Sequence, residues 1–191
     1  MCIRDRLQAI GDVQQFRKEL DAALESYAAA LRLFREIGDR LGEANVLQAI
    51  GDVQQFRDDR DAALESYAAA LRLFREIGAK LGEANVQLSW GKQELFQEDV
   101  SKFKHGAQLL QSALSIYREI GALSGQANAL MTWAQWLATR GQIEQALPFA
   151  QEAYDLGNAF APGHPVTEWM RQFIAALQEA LAQQTASEDT P

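Results

Sequence analysis

The sequence predicts an all-α solenoid made of stacked helical hairpins. The first observation behind this fold class is a 40-residue stretch that recurs almost unchanged. The second is a composition rich in alanine, leucine, glutamine and glutamate but poor in valine, isoleucine and threonine. Unbranched side chains lose little rotamer freedom in a helix, so this composition favours helix over strand. A third observation, separate apolar stripes within each copy, divides the repeat into two helices.

The recurring stretch is the main evidence. Residues 7–46 align with residues 47–86 at a shift of 40, and 35 of the 40 aligned positions are identical. The five differences fall in two short patches, at residues 18–20 and 39–40 of the first copy. Turns tolerate change better than packed helix faces, so we expect turns in both patches.

Two diverged copies follow, the third with three extra residues in its internal turn. After them comes one more helical stretch and a polar end. The whole solenoid should cover residues 7–183. We expect repeats at about residues 7–40, 41–80, 81–122 and 123–160, a capping helix at 166–183 and a disordered tail at 184–191.

Each copy should form one helical hairpin. Glycines follow the second helices, where a left-handed C-terminal residue is expected, at Gly38, Gly78 and Gly121. A single hairpin has too little apolar surface to fold alone, so neighbouring hairpins must stack. The apolar positions of the second copy are Val46, Leu47, Ile50 and Val53 in the first helix and Ala63, Tyr67, Ala70, Phe74 and Ile77 in the second.

The small and aromatic positions of the hairpin resemble the tetratricopeptide repeat family. Its pattern has a small residue in the first helix, then alanine, an aromatic residue and a small residue, which here are Gly51, Ala63, Tyr67 and Ala70. The chain departs from the pattern in its period of 40, in its missing closing proline and at Leu47, where the family has tryptophan. The resemblance implies a right-handed superhelix that binds proteins or peptides and is not an enzyme.

The long period is similar to that of bacterial repeats found in sensor arms of signalling ATPases and in peptide-responsive regulators. A sensor or regulatory arm is therefore the alternative function. The Gly-His-Pro of residues 163–165 is similar to a helix-opening motif of kinesin-light-chain-like repeats. The partner, the oligomeric state and any upstream domain stay open at this point.

One side of the first helices is the candidate partner-binding groove, because in tetratricopeptide-like superhelices this side is concave. Its first part should be amide-rich and acidic, and its later part more apolar. The asparagines at one register could hold a partner's main chain, or each could bond the neighbouring hairpin. The predicted groove row is Asn45, Gln48, Asp52 and Gln55, then Asn85, Leu88, Lys92 and Leu95, then Asn128, Met131 and Gln135.

Charge and cysteine content exclude several function classes. The net charge of −8 argues against nucleic-acid binding, which needs a basic face. No apolar run approaches the ~20 residues that cross a bilayer. The single cysteine, Cys2, allows neither a disulfide nor a zinc site. We therefore expect a cytoplasmic protein without cofactor or metal.

Catalytic residues are not predicted. His105 and His164 lie in expected turns, and no partner follows from their spacing. Trp90 and Trp133 should pack between repeats, whereas Trp136 could line a pocket or seal the last hairpin. An enzyme with an apolar C-terminal pocket is the alternative of another class, but it lacks a reactive set of residues.

The similarity between the first two copies begins abruptly at Leu7, and residues 1–6 have no part in it. They match none of the equivalent residues 41–46, and they read as the translation of a DNA sequence that resembles the end of a transposase-type sequencing adaptor. We expect a non-native leader at 1–6 and a chain that is a fragment of a larger protein; the alternative is a diverged N-terminal cap. The uncapped first repeat also leaves end-to-end self-association open.

Overall fold

The computed structural model describes residues 3–188, and within them it contains helices and turns but no strand. In this part of the chain nine helices follow one another, with short turns between them. They are α1 (Ile3–Phe16), α2 (Leu20–Ile37), α3 (Arg40–Phe56), α4 (Arg60–Glu76), α5 (Lys80–Leu95), α6 (Val100–Glu119), α7 (Leu123–Thr139), α8 (Ile143–Phe160) and α9 (Pro165–Glu188).

The predicted fold class, an all-α series of four helical hairpins with a closing helix, is confirmed. The chain divides into two compact units, one up to Gln93 and one from Glu94 onward. In the first unit α2 packs on α1 and α3, and α3 packs on α4. In the second unit α7 packs on α6 and α8, and α8 packs on α9. Neighbours in sequence are thus neighbours in space within each unit.

The turns between hairpins are closed by left-handed glycines, as predicted. Gly38, Gly78 and Gly121 have φ of 72°, 69° and 68°. The turn inside a hairpin also needs a left-handed residue, and here Lys18 and Asp58 adopt φ of 62° and 61° without being glycine. The residues that differ between the first two copies therefore include those at a strained backbone position.

The core of each early hairpin forms around one tyrosine. Tyr67 is fully buried with Ala63 and Ala70, and Tyr27 is buried in the same way in the first copy. A Cβ placed on Gly51 would lie 2.6 Å from the Tyr67 ring, so only glycine lets α3 approach α4 this closely. Small residues at the predicted positions therefore set the distance between the two helices.

The last helix is longer than predicted. It continues to Glu188, five residues beyond the expected end at Gln183, so the predicted tail at 184–191 is helical through residue 188. Alanine, glutamine and glutamate dominate this stretch, and all three are good helix formers. Residues 189–191 lie outside the described residues.

The first helix begins within the six residues expected to be a leader. Residues 3–6 are helical and continue into α1. The expectation that residues 1–6 are non-native stays a prediction. Across residues 3–188, no helix has the length and apolar character that crossing a membrane requires.

Candidate functional site

Part of the predicted groove row holds its own hairpin together. The Tyr67 hydroxyl lies 2.7 Å from Asp52 Oδ1 and 2.9 Å from Gln55 Oε1. One hydroxyl carries a single proton, so it donates to the Asp52 carboxylate, and the Gln55 amide can turn its NH₂ toward the hydroxyl oxygen. Asp52 and Gln55 therefore link α3 to α4.

The first copy contains the same arrangement. The Tyr27 hydroxyl lies 2.7 Å from Asp12 Oδ1 and 2.9 Å from Gln15 Oε1. Burial raises the pKa of the Tyr27 and Tyr67 hydroxyls, and the neighbouring carboxylates add to the rise. Both tyrosines stay protonated and can donate at any physiological pH.

The Asp52 carboxyl group is more enclosed than a groove position should be. Burial raises its pKa, and hydrogen bonds from the Tyr67 and Ser89 side chains lower it in part. The rise prevails, so ionised Asp52 is less stable here than in water. This makes Asp52 a poor candidate for direct partner contact.

Two predicted groove residues are buried, and those predictions are wrong. Leu95 is 0% exposed and Met131 is 4% exposed, so neither can meet a partner. Leu95 stands where the second copy has Gln55, and Leu110 stands where it has Tyr67. Loss of the hydroxyl removes the need for a polar residue beside it, and both leucines are fully buried. Met131 lies in α7, which packs against helices on two sides.

The remaining residues of the row reach the surface to different degrees. Those in the first unit belong to α3 and α5, and those in the second unit to α7. Asn45, Lys92 and Asn128 are exposed, and Gln48, Asn85, Leu88 and Gln135 are partly exposed.

The first unit contains a cavity of about 560 Å³ that is lined in part by residues of α1 equivalent to the predicted groove residues of α3. Asp12 and Gln15, which are the equivalents of Asp52 and Gln55, form part of its wall. Two phenylalanines at the ends of α1 and α3 border it with large exposed surfaces, 89% for Phe16 and 74% for Phe56. Lys18 and Leu20 complete the lining.

The second unit has a smaller cavity that includes one predicted groove residue. It measures about 220 Å³ and lies where α7 meets the turn before α9. Its lining includes Asn128, Phe160, His164, Thr167 and Met170. The Thr167 hydroxyl donates to the Ala161 carbonyl at 3.0 Å and fixes that turn.

Residues 5–76 match the model of a protein family described as tetratricopeptide repeat. The matched segment spans the first copy of the repeat and most of the second. The resemblance predicted from the glycine, alanine and tyrosine positions is thus confirmed. The later copies lie beyond the matched segment. No curated protein matches the sequence closely enough to count as a relative.

A solved structure has a similar fold over nearly the whole chain. It is described as "Crystal structure of BtubC (BKLC) from P. vanneervenii" and superposes with a TM-score of 0.77. The match covers 96% of this chain and 75% of that chain at 14% identity. At this identity the similarity extends to the fold alone.

The tryptophans have mostly packing roles. Trp90 packs against the core around Tyr67, as predicted. Trp136 stacks on Phe103 with ring centres 4.8 Å apart and meets the edge of Trp133 at 5.9 Å. Of the two roles predicted for Trp136, these contacts favour sealing a hairpin over lining a pocket.

The two histidines have separate hydrogen-bond partners. His105, expected in a turn, lies in α6, and its Nδ1 is 2.5 Å from Glu94 Oε2. His164 bonds the backbone N–H of Val166 at 3.3 Å. Among the side chains that the structure describes, no group of three or more His, Cys, Asp or Glu could hold a metal ion.

The sequence reasoning missed the phenylalanines that border the first cavity. Phe16 and Phe56 are the last residues of α1 and α3, and an exposed side chain beside a turn attracts little notice. A signal was present, because Phe16, Phe56 and Phe96 recur at intervals of 40 residues. An aromatic residue kept at an exposed helix end in three copies indicates a shared surface role.

Proposed function

We propose that the chain is a scaffold that binds a segment of a partner protein, with the cavity at Phe16 and Phe56 as the anchoring point. Tetratricopeptide repeats generally mediate protein–protein interaction, which supports the class of function. The observation that carries the proposal is the pair of exposed phenylalanines around a cavity of about 560 Å³. Large aromatic rings left in water mark surfaces that a ligand or partner covers.

The lining suits a large apolar side chain of the partner. Covering one phenylalanine ring contributes about 1.5–3 kcal/mol, so two rings can supply an anchor. Asp12 and Gln15 provide acceptors and a donor at one wall for the partner's backbone. Asp12 is already oriented by Tyr27, so little ordering is needed on binding.

The asparagines of the row extend the proposal along the same helix faces. Asparagine is a poor helix former, yet Asn45, Asn85 and Asn128 occupy equivalent places in three helices. An amide donates and accepts at once, which suits a partner's main chain. Alanine at each position should lower partner affinity without lowering thermal stability. Lost stability with unchanged affinity would assign the asparagines to the scaffold.

Composition supports a cytoplasmic, non-catalytic setting with a protein partner. The net charge of −8 opposes a nucleic-acid partner. A groove that binds protein segments needs no cofactor, and we propose that this chain is not an enzyme. Turnover of any small molecule by the purified chain would contradict this part of the proposal.

Peptide display against the intact chain tests the anchoring point. A random peptide library is selected on the wild type, and the affinity of enriched peptides is then measured for a Phe16→Ser, Phe56→Ser double variant. We expect an affinity loss of at least ~10-fold, which corresponds to the free energy gained by burying one phenylalanine ring. Ile37→Ser, an exposed apolar residue away from the cavity, is the matched control.

Two outcomes would reject the proposal. One is that no peptide is enriched above background. The other is that the double variant and the Ile37→Ser control bind the enriched peptides equally well. Circular dichroism of both variants establishes that each has kept its helices before affinities are compared.

A further inference from the structure

The aspartate beside the buried tyrosine has different neighbours in the first two copies. In the second copy, Asp52 accepts hydrogen bonds from two hydroxyl groups, those of Tyr67 and Ser89. Tyr67 belongs to the same hairpin, whereas Ser89 lies in α5, the helix that follows this hairpin. The Asp52 carboxylate is therefore held by donors from two different helices.

The helix after the first hairpin has alanine where the helix after the second has this serine. Ala49 of α3 stands 40 residues before Ser89 and packs against the core that contains Tyr27. Asp12 is bonded to the Tyr27 hydroxyl and is exposed, whereas Asp52 is partly buried. A carboxylate has about four acceptor positions, so Asp12 can accept a hydrogen bond from a further donor.

The cavity of about 560 Å³ brings apolar side chains close to this aspartate. The two exposed phenylalanines and Leu20 line it together with Asp12. The equivalent of Leu20 in the second copy is Arg60, whose Nε donates to Asp58 Oδ1 at 2.8 Å. Leu20 thus keeps apolar a position that carries a charge in the second copy, and the first copy combines apolar walls with a charged acceptor.

The chemistry of the lining restricts what the cavity can take. An occupant needs an apolar body to cover the phenylalanine rings and a hydrogen-bond donor to reach Asp12. A cationic side chain would meet the ammonium group of Lys18, which lines the same cavity. Tyrosine fulfils both requirements without a charge, because its ring packs against other rings and its hydroxyl finds a hydrogen-bond partner when buried.

We propose that the cavity binds a tyrosine side chain of the partner segment, whose hydroxyl donates to the Asp12 carboxylate as Ser89 donates to Asp52. The inference rests on the proposed function and assigns the Asp12 acceptor to a side chain of the partner. The ring packs against Phe16 and Phe56. The partner's hydroxyl completes an arrangement that the second copy makes from its own residues.

Two peptide libraries displayed against the intact chain test the inference. One has a fixed central tyrosine and the other a fixed central phenylalanine, with the same random flanks. Enriched tyrosine peptides are labelled, and their affinity is measured by fluorescence anisotropy beside that of copies with Tyr→Phe at the centre. We expect the copies to bind at least ~5-fold more weakly, because they lose a hydrogen bond to a charged acceptor.

A variant of the chain then locates the acceptor. Ala49→Ser gives Asp12 the donor that Ser89 gives Asp52, so the preference for tyrosine over phenylalanine should fall below ~2-fold. The affinity of the phenylalanine copies should stay unchanged. Ser89→Ala is the matched control at the equivalent position and should keep the full preference. Ala49 and Ser89 are both partly exposed, and circular dichroism checks that each variant keeps its helices.

Three results would overturn this inference and leave the proposed function standing, provided that the enriched peptides lose affinity in the Phe16→Ser, Phe56→Ser double variant. Tyrosine peptides and their phenylalanine copies could bind equally well. Ala49→Ser could keep the full preference for tyrosine. The phenylalanine library alone could yield peptides.

Failure of the proposed function has a different signature. Neither library would then yield a peptide, or the enriched peptides would bind the double variant as tightly as the wild type. The inference falls with the proposed function in that case, because the cavity would not be where the partner binds.

Discussion

The first two copies of the repeat are nearly the same sequence in different surroundings. Val13 and Val53 are equivalent residues in identical stretches, yet one is half exposed and the other is fully buried. The difference comes from α2, which covers α3 and has no counterpart on α1 among the described residues. Burial in this chain is therefore a property of the neighbouring hairpin as much as of the residue.

Geometry inside a hairpin does not change between the two copies. The tyrosine hydroxyl lies 2.7 Å from the aspartate carboxylate in both, at Tyr27 and at Tyr67. A Cβ on the facing glycine would lie 2.6 Å from the ring in both. Contacts within a hairpin follow from its own sequence, while contacts between hairpins follow from their order along the chain.

The largest effect should come from a charge placed at equivalent valines. Val53→Asp should cost about 3 kcal/mol or more of unfolding free energy, because an unpaired carboxylate would be buried against α2. Val13→Asp should change stability by less than ~0.5 kcal/mol, because the side chain stays in water. Urea unfolding followed by circular dichroism measures both. Equal losses would mean that the two faces are equally covered.

A smaller loss is expected where helices approach closely within the second copy. Ala63→Leu should cost ~1–3 kcal/mol, since the fully buried site has no room for three more carbons. Glu65→Leu, two residues away on the exposed side of α4, is the matched control and should be near neutral. Thermal unfolding measures the stability of both variants. Similar losses of stability would mean that the buried and exposed sides of α4 are assigned wrongly.

The junctions after the two copies differ by one helix cap. Asp39 accepts a hydrogen bond from Gly42 N at 2.9 Å, whereas Ala79 precedes α5 without a side-chain acceptor. Asp39→Ala should therefore cost about 1 kcal/mol. Ala79→Asp should recover part of such a bond and raise stability by up to about 1 kcal/mol. Urea unfolding measures both changes. If Asp39→Ala loses no stability and Ala79→Asp gains none, these helix caps do not contribute to stability.

The smallest effect concerns pH, and its sign follows from burial. The pKa of Asp52 is raised in the folded chain, so the folded state holds this proton more tightly than the unfolded state does. Its contribution to stability is present below the ordinary aspartate pKa and is lost as pH rises through the raised value. Asp52→Asn should remove this loss, so the wild type should become less stable relative to the variant as pH rises from acid.

Removing the Tyr67 hydroxyl should change the same pH dependence of stability. Its hydrogen bond lowers the pKa of Asp52 and partly offsets burial. Tyr67→Phe should therefore make the loss of stability with rising pH steeper than in the wild type. A flatter profile would mean that the bond acts in the opposite direction.

The sequence was sufficient for the hairpins because their signals are local and repeated. Left-handed glycines at Gly38 and Gly78 and the alanines beside Tyr67 could be placed from spacing alone. The end of α9 was predicted too early, since a polar stretch of good helix formers resembles a tail when its neighbours are unknown.

The groove row was harder to predict because exposure depends on what a residue faces. Helical spacing placed Leu95 and Gln55 in one row, and the structure keeps the register but buries Leu95. The partner residue explains the difference, since Tyr67 needs a polar neighbour and Leu110 does not. That coupling joins residues of two helices, so it lies beyond any single helix pattern.

The close approach of glycine to tyrosine orders the substitutions that this repeat can accept. A methyl group at Gly51 is blocked while the Tyr67 ring is present. In the fourth copy both positions have changed, to Ala134 and Ala150. Loss of the ring must come first, because alanine at the glycine position would collide with it and cost ~1–3 kcal/mol. The divergence of one copy from the next is therefore a path with a fixed order of steps, and a designer who wants alanine at the glycine position of an added copy must first remove the ring.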